Sequence, residues 1–131
     1  MKLNPKCIRD TLIAIEEMSA LDERLVPKKL TIKNFLENEN TSKYSENEII
    51  YTLKKLREGN LIIASIKYSS NSLYYVIVTE LTYDGHQYLE SISNSKVFDM
   101  AMNKLDELGS GVTLDILKAL CTKLLKEKLG L

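Results

Sequence analysis

Asn47, Tyr51, Lys54 and Lys55 are spaced four, three and one residues apart. On a helix of about 3.6 residues per turn, that spacing puts an amide, a phenol and two ammonium groups on one face. Such a face can hydrogen-bond to base edges and pair with phosphates. Arg57 lies at the edge of the same face, and Lys67 follows in an extended run. These six residues are the candidate contacts to double-stranded DNA. Glu46, Glu48 and Glu58 lie on the same helix and would repel phosphate. A solvated, mixed-charge face is therefore an equally good reading of the pattern.

Other reactive side chains form no comparable set. His86 is the sole histidine, and Asp84, two positions earlier, does not face it on a helix. The expected role for His86 is packing or capping. Cys7 and Cys121 are far apart and form no C-x-x-C. They read as two buried thiols in a reducing cytosol, and a disulfide would require the ends of the chain to meet. Neither G-x-S-x-G, nor a P-loop, nor G-x-G-x-x-G occurs, and no carboxylate-histidine group has metal-ligand spacing. The chain is expected to be no enzyme and to hold no cofactor.

All seven tyrosines fall between Tyr44 and Tyr88. Aromatics among cations can stack on bases. Strand propensity explains Tyr68, Tyr74 and Tyr75 more simply, which leaves Tyr51 as the exception. Gly85 interrupts a helical pattern at a cost of about 1 kcal/mol relative to alanine. Its presence predicts a close crossing between that helix and another backbone.

These residues need elements to position them. Asn4 and Pro5 start a helix that runs to about Ala20, with Ile8, Leu12 and Ile15 on its apolar face and Ile13 opposite. Pro27 keeps Val26 out of helical geometry. Leu30–Ile32 reads as a short strand before a second helix, about 33–38. Ser45 and Glu48 form a capping box for the third helix, and Gly59 is placed to stop it. Two β-branched and aromatic runs around "SSNS" predict a hairpin. Thr82 caps a fourth helix. A fifth carries Phe98, Met102 and Leu105 and is stopped by Gly109–Gly111. A sixth is capped by Thr113, with Val112 and Leu117 as a hydrophobic staple. The fold expected is α+β and mainly helical: a winged helix-turn-helix over residues 1–93 with a C-terminal two-helix extension over 94–131.

The last helix presents apolar residues from Leu114 to Leu125 over about half its circumference, wider than the roughly 100° stripe of a surface helix. Such a face needs cover. Phe98, Met102, Leu105, Leu117 and Leu124 are thus candidates for a homodimer interface, or for folding back on their own domain. The lysines of this helix also allow a basic amphipathic, membrane-surface reading, which ranks last.

The 131 residues carry 18 basic and 18 acidic side chains. A net charge of zero argues against a strongly electropositive nucleic-acid binder and leaves room for a local patch. The polar start "MKLNPKCIRD" has no signal-peptide pattern and no apolar run spans a bilayer, so the expected location is the cytoplasm, with no membrane.

"LTYDGHQYL" resembles the LT-x-x-G-x-x-x-L ending that follows the wing in many winged-helix regulators. "MKLNPKCIRDTL", "YDGHQYLESI" and "LDILKALCTKLLKEKLGL" together resemble, over nearly the full length, a prophage-associated bacterial family of unknown function. Its members carry an Arg-Asp pair and a Trp after the GH segment, where this chain has Ser93-Asn94 and Phe98. The resemblance implies a winged-helix fold and a bacterial or phage setting, with no established site residues. Two functions follow as expectations: a dimeric DNA-binding transcriptional regulator, or a module that binds a host or phage protein and not DNA.

Overall fold

The structure, a computed structural model, describes residues 1–108 and 113–131. The expected stop at Gly109–Gly111 and the staple residue Val112 lie outside the described residues. The elements run α1 (Pro5–Met18), β1 (Leu30–Thr31), α2 (Ile32–Glu37), α3 (Glu46–Glu58), β2 (Ile62–Ser69), β3 (Ser72–Leu81), α4 (Tyr83–Ile92), α5 (Ser95–Leu108) and α6 (Leu114–Leu129). The fold is α+β and mainly helical, as the periodicities predict.

Local chemistry sets most of the boundaries. The Asn4 side chain accepts the N–H groups of Lys6 and Cys7 at the start of α1. That helix stops at Met18, short of Ala20, because Ser19 is extended and its hydroxyl donates to the Ile15 carbonyl at 2.6 Å. α2 begins one residue earlier than expected. Asn34 Oδ1 accepts the Thr31 N–H at 2.8 Å and the Thr31 hydroxyl at 3.1 Å, which closes the first turn around Thr31. At the end of α3 the stop falls differently. Gly59 has φ −78°, and Asn60 takes the left-handed position at φ 58°. Leu61 N–H donates back to the Leu56 carbonyl at 2.9 Å, the six-to-one bond of a Schellman end. Asparagine tolerates that backbone, so a glycine is not required there.

The three strands form one antiparallel sheet in the order β1-β3-β2. β1 meets β3 at Leu30–Val78 and Thr31–Ile77, and β2 meets β3 from Ile62–Leu81 to Ser69–Ser72. Ser70 and Asn71 make the two-residue hairpin turn, both at positive φ (49° and 70°), as a type I′ turn demands.

One hydrophobic cluster runs through the described residues. It joins Ile8, Leu12 and Ile15 of α1 to Ile49, Leu53 and Leu56 of α3, Val78 of β3 and Leu89 of α4. Val97, Phe98, Ala101 and Leu105 of α5 belong to the same cluster, as do Leu117, Cys121 and Leu124 of α6. Four of the five residues considered for a dimer interface, Phe98, Leu105, Leu117 and Leu124, are thus buried against their own chain. Met102 is half-buried and packs on the cluster's edge. The reason is geometric: α6 lies across α4 and α5, and the Tyr88 hydroxyl donates to the Leu114 carbonyl at 2.7 Å. Folding back provides the cover that these apolar faces require. Ile13, expected on the solvent side of α1, is half-buried and packs on the cluster as well.

The GH segment is explained in part. A Cβ on Gly85 would lie 1.9 Å from the Leu61 carbonyl oxygen, so α4 does cross another backbone there. His86 is neither packed nor capping. Its side chain is 54% exposed and its Nδ1 lies 3.8 Å from Glu16 Oε2.

Candidate nucleic-acid interface

The outer face of α3 is held in place from within. Ser45 Oγ accepts the Glu48 N–H, Asn4 Nδ2 donates to Glu48 Oε1 at 2.7 Å, and the buried Thr52 hydroxyl donates to Cys7 Sγ at 3.3 Å. These contacts, with Ile49, Leu53 and Leu56 in the core, fix the rotation of the helix about its axis. The opposite side therefore faces outward by necessity.

On that side the structure brings together part of the expected set. Asn47 is exposed, and Tyr51, Lys54 and Lys55 are half-buried. Asn47, Tyr51 and Lys54 share a shallow groove of about 300 Å³ with Ile50 of α3 and Tyr68 and Leu73 of the hairpin. Lys54 Nζ lies over the Tyr68 ring, 5.5 Å from its centroid. Tyr68, read from sequence as a sheet-filling residue, is 51% exposed and forms one wall of the groove. The interleaving of cations and tyrosines is the signal by which it could have been found, and strand propensity outweighed it in the sequence reading.

The remaining cations are engaged or displaced. Lys55 Nζ pairs with Glu58 Oε2 at 2.9 Å and lies over the Tyr51 ring. The hydrogen bond and charge of Glu58 raise the Lys55 pKa. Arg57 Nε donates to the Ala64 carbonyl at 2.9 Å, which ties α3 to β2. Lys67 is exposed on β2. Lys33 and Lys43, which flank α3 in sequence, pair with Glu37 and Asp10. The face offers one amide, two tyrosines and a few ammonium groups beside exposed Glu46 and Glu58. It can hydrogen-bond and it can neutralise a small number of phosphates.

Among the described residues, no three His, Cys, Asp or Glu side chains gather as a metal site. No helix among them is long and apolar enough to cross a membrane.

Residues 2–112 match a family described as hypothetical protein, DUF2513, and the chain belongs to that family. An uncharacterized protein of Haemophilus influenzae is 26% identical over 130 residues, which cover 99% of this chain and 100% of the relative. No solved structure matches.

Proposed function

We propose that this DUF2513 member is a winged helix-turn-helix protein that binds duplex DNA as a bacterial or phage transcriptional regulator in the cytoplasm. The observation that carries the reading is the topology. A helix, a short strand, a helix-turn-helix and a hairpin are joined in the sheet order β1-β3-β2, with α3 and the β2–β3 hairpin flanking one groove. In this arrangement α3 enters the major groove and the hairpin lies along the neighbouring backbone. Asn47 and Tyr51 face base edges, and Lys54, Lys55 and Lys67 face phosphates.

Three lysines on phosphates give a logarithmic salt dependence with a slope of about −3. The test is a mobility shift on random-sequence duplexes at low salt. The wild-type chain shifts the duplex and weakens with that slope. The Lys54→Glu/Lys55→Glu variant gives no shift, while its melting temperature changes little. A wild-type chain that shifts no duplex at low salt refutes the reading.

The Lys55–Glu58 pair and the zero net charge favour the second reading, a winged helix whose α3 face meets a protein. That reading stands if the duplex fails and a partner from the same cell binds through Tyr51 and Tyr68.

A further inference from the structure

A second cleft, of about 530 Å³, opens where α1, the two residues before Ser45 and the first turns of α5 meet. Its volume falls among those of small-molecule sites, about 300–1,000 Å³. α1 contributes Lys6, Arg9 and Asp10, the approach to α3 contributes Lys43 and Tyr44, and α5 contributes Phe98 and Asp99. The outer face of α3 supplies none of these residues, so the cleft stands independently of the DNA reading.

The charges in the cleft do not cancel. Asp10 is 9% exposed and already has its donors. The Tyr44 hydroxyl donates to it at 2.6 Å, Lys43 Nζ lies at 3.1 Å and Arg9 Nη1 at 3.9 Å. Arg9 is fixed by its other nitrogens, with Nε donating to the Ile92 carbonyl at 3.3 Å and Nη2 to the Ser93 carbonyl at 2.7 Å. Its guanidinium lies over the Phe98 ring, 5.4 Å from the centroid. Three cations thus surround one compensated carboxylate; of the lining residues only Asp99 adds further negative charge, and Glu48, held by Asn4, is near enough to act on Tyr44. Lys6 joins no ion pair among the described residues. The Lys43 side chain is 62% exposed despite its bond to Asp10.

We propose that this cleft binds the phosphate group of a small molecule, with Lys6 and Lys43 as mobile partners and Arg9 as a preorganised one. A guanidinium already held in one orientation loses little entropy on binding an oxyanion. Asp10 acts through the others: it holds Lys43 and Tyr44 at the cleft and is not itself a contact. Asp99 opposes the ligand and limits its charge.

The test is a titration of the full-length chain with inorganic phosphate and with adenosine 5′-monophosphate, followed by backbone amide resonances. Either phosphate should shift the signals of Lys6, Arg9, Lys43 and Tyr44 saturably. Lys6→Glu, an exposed substitution, should weaken binding about tenfold or more. Asp99→Asn should tighten it about threefold. Lys54→Glu/Lys55→Glu, on the other face, should leave it unchanged. The proposal falls if neither phosphate gives a saturable shift, or if chloride at equal ionic strength gives the same one. It falls too if only a DNA duplex moves these signals and Lys6→Glu weakens that duplex, because the cleft would then be part of a DNA surface.

Discussion

Replacing Gly85 by alanine tests the close crossing of α4 on the chain after α3. The added carbon would sit 1.9 Å from the Leu61 carbonyl oxygen, far inside the 3.4 Å at which ordinary contact begins. Backbone cannot rotate away as a side chain can. The junction is also hydrogen-bonded on every side. Thr82 N–H donates to that same Leu61 oxygen at 3.0 Å, the Thr82 hydroxyl donates to the Asn60 carbonyl at 2.7 Å, and Gly85 N–H donates to the Thr82 hydroxyl at 2.9 Å. Relief of the clash must stretch at least one of these bonds. Overpacking costs about 1–3 kcal/mol, and a lost hydrogen bond about 1 kcal/mol more. Against these stands alanine's helix advantage of about 1 kcal/mol. The net expectation is a loss of roughly 1–3 kcal/mol, or about 4–10 °C in melting temperature for a chain of this size. Gly59→Ala is the control. Its φ is ordinary, and its nearest neighbour is the flexible Leu114 Cδ1 at 3.1 Å, so it should shift the melt little. Thermal unfolding followed by circular dichroism decides. A Gly85→Ala chain as stable as wild type, or more so, refutes the argument.

Burial first, and the hydrogen bond to Asp10 second, push the Tyr44 hydroxyl well above its ordinary range. The folded state therefore keeps a proton that the unfolded chain releases near pH 10. The stability this supplies is complete below about pH 10 and is lost as the pH rises towards the folded value. Denaturant titrations at pH 8 to 11 should show a decline to which the buried Tyr88, Cys7 and Cys121 also contribute, and Tyr44→Phe should make it shallower while costing about 1–2 kcal/mol at neutral pH. In the hairpin, Ser70→Asn with Asn71→Gly should raise the melting temperature by a few degrees, because both positions are left-handed and the new pair adopts that turn with less strain. Burial pushes the Cys121 thiol up to about 11 and raises the Cys7 thiol as well. Neither should react with a disulfide reagent at pH 8 until denaturant is added, and rapid modification of the native chain would contradict their burial.

Much of the fold could be read from local patterns. The spacing of Ile49, Leu53 and Leu56 and the cap at Ser45 define α3, and "SSNS" locates the hairpin turn. Gly85 signals a crossing because its cost in a helix needs a reason. What escaped the reading depends on partners distant in sequence. Nothing near Asp10 shows that Tyr44 will donate to it from 34 residues away. Nothing near Arg9 reveals its bonds to carbonyls 83 and 84 residues on. The apolar faces of α5 and α6 were legible as needing cover, but the surface that covers them emerges only once α6 crosses α4 and α5. At the candidate interface the side chains were legible and their engagement was not. Arg57 was counted as a free cation, yet its Nε–H is bonded to the Ala64 carbonyl.

That last contact has a consequence for how copies of this protein behave beside one another. β2 is an edge strand, eight residues long, with Ile63 and Tyr68 exposed. Such an edge is a template on which another molecule could continue the sheet. Here Arg57 occupies one of its carbonyls, the pairing with β3 is irregular between Ile63 and Ala64 and again between Lys67 and Tyr68, and Lys67 places a charge on it. Arg57 therefore has a structural task at this edge, whatever its guanidinium meets beyond it. Bulges, a charge and an occupied carbonyl are the features that discourage strand-to-strand pairing at an open edge.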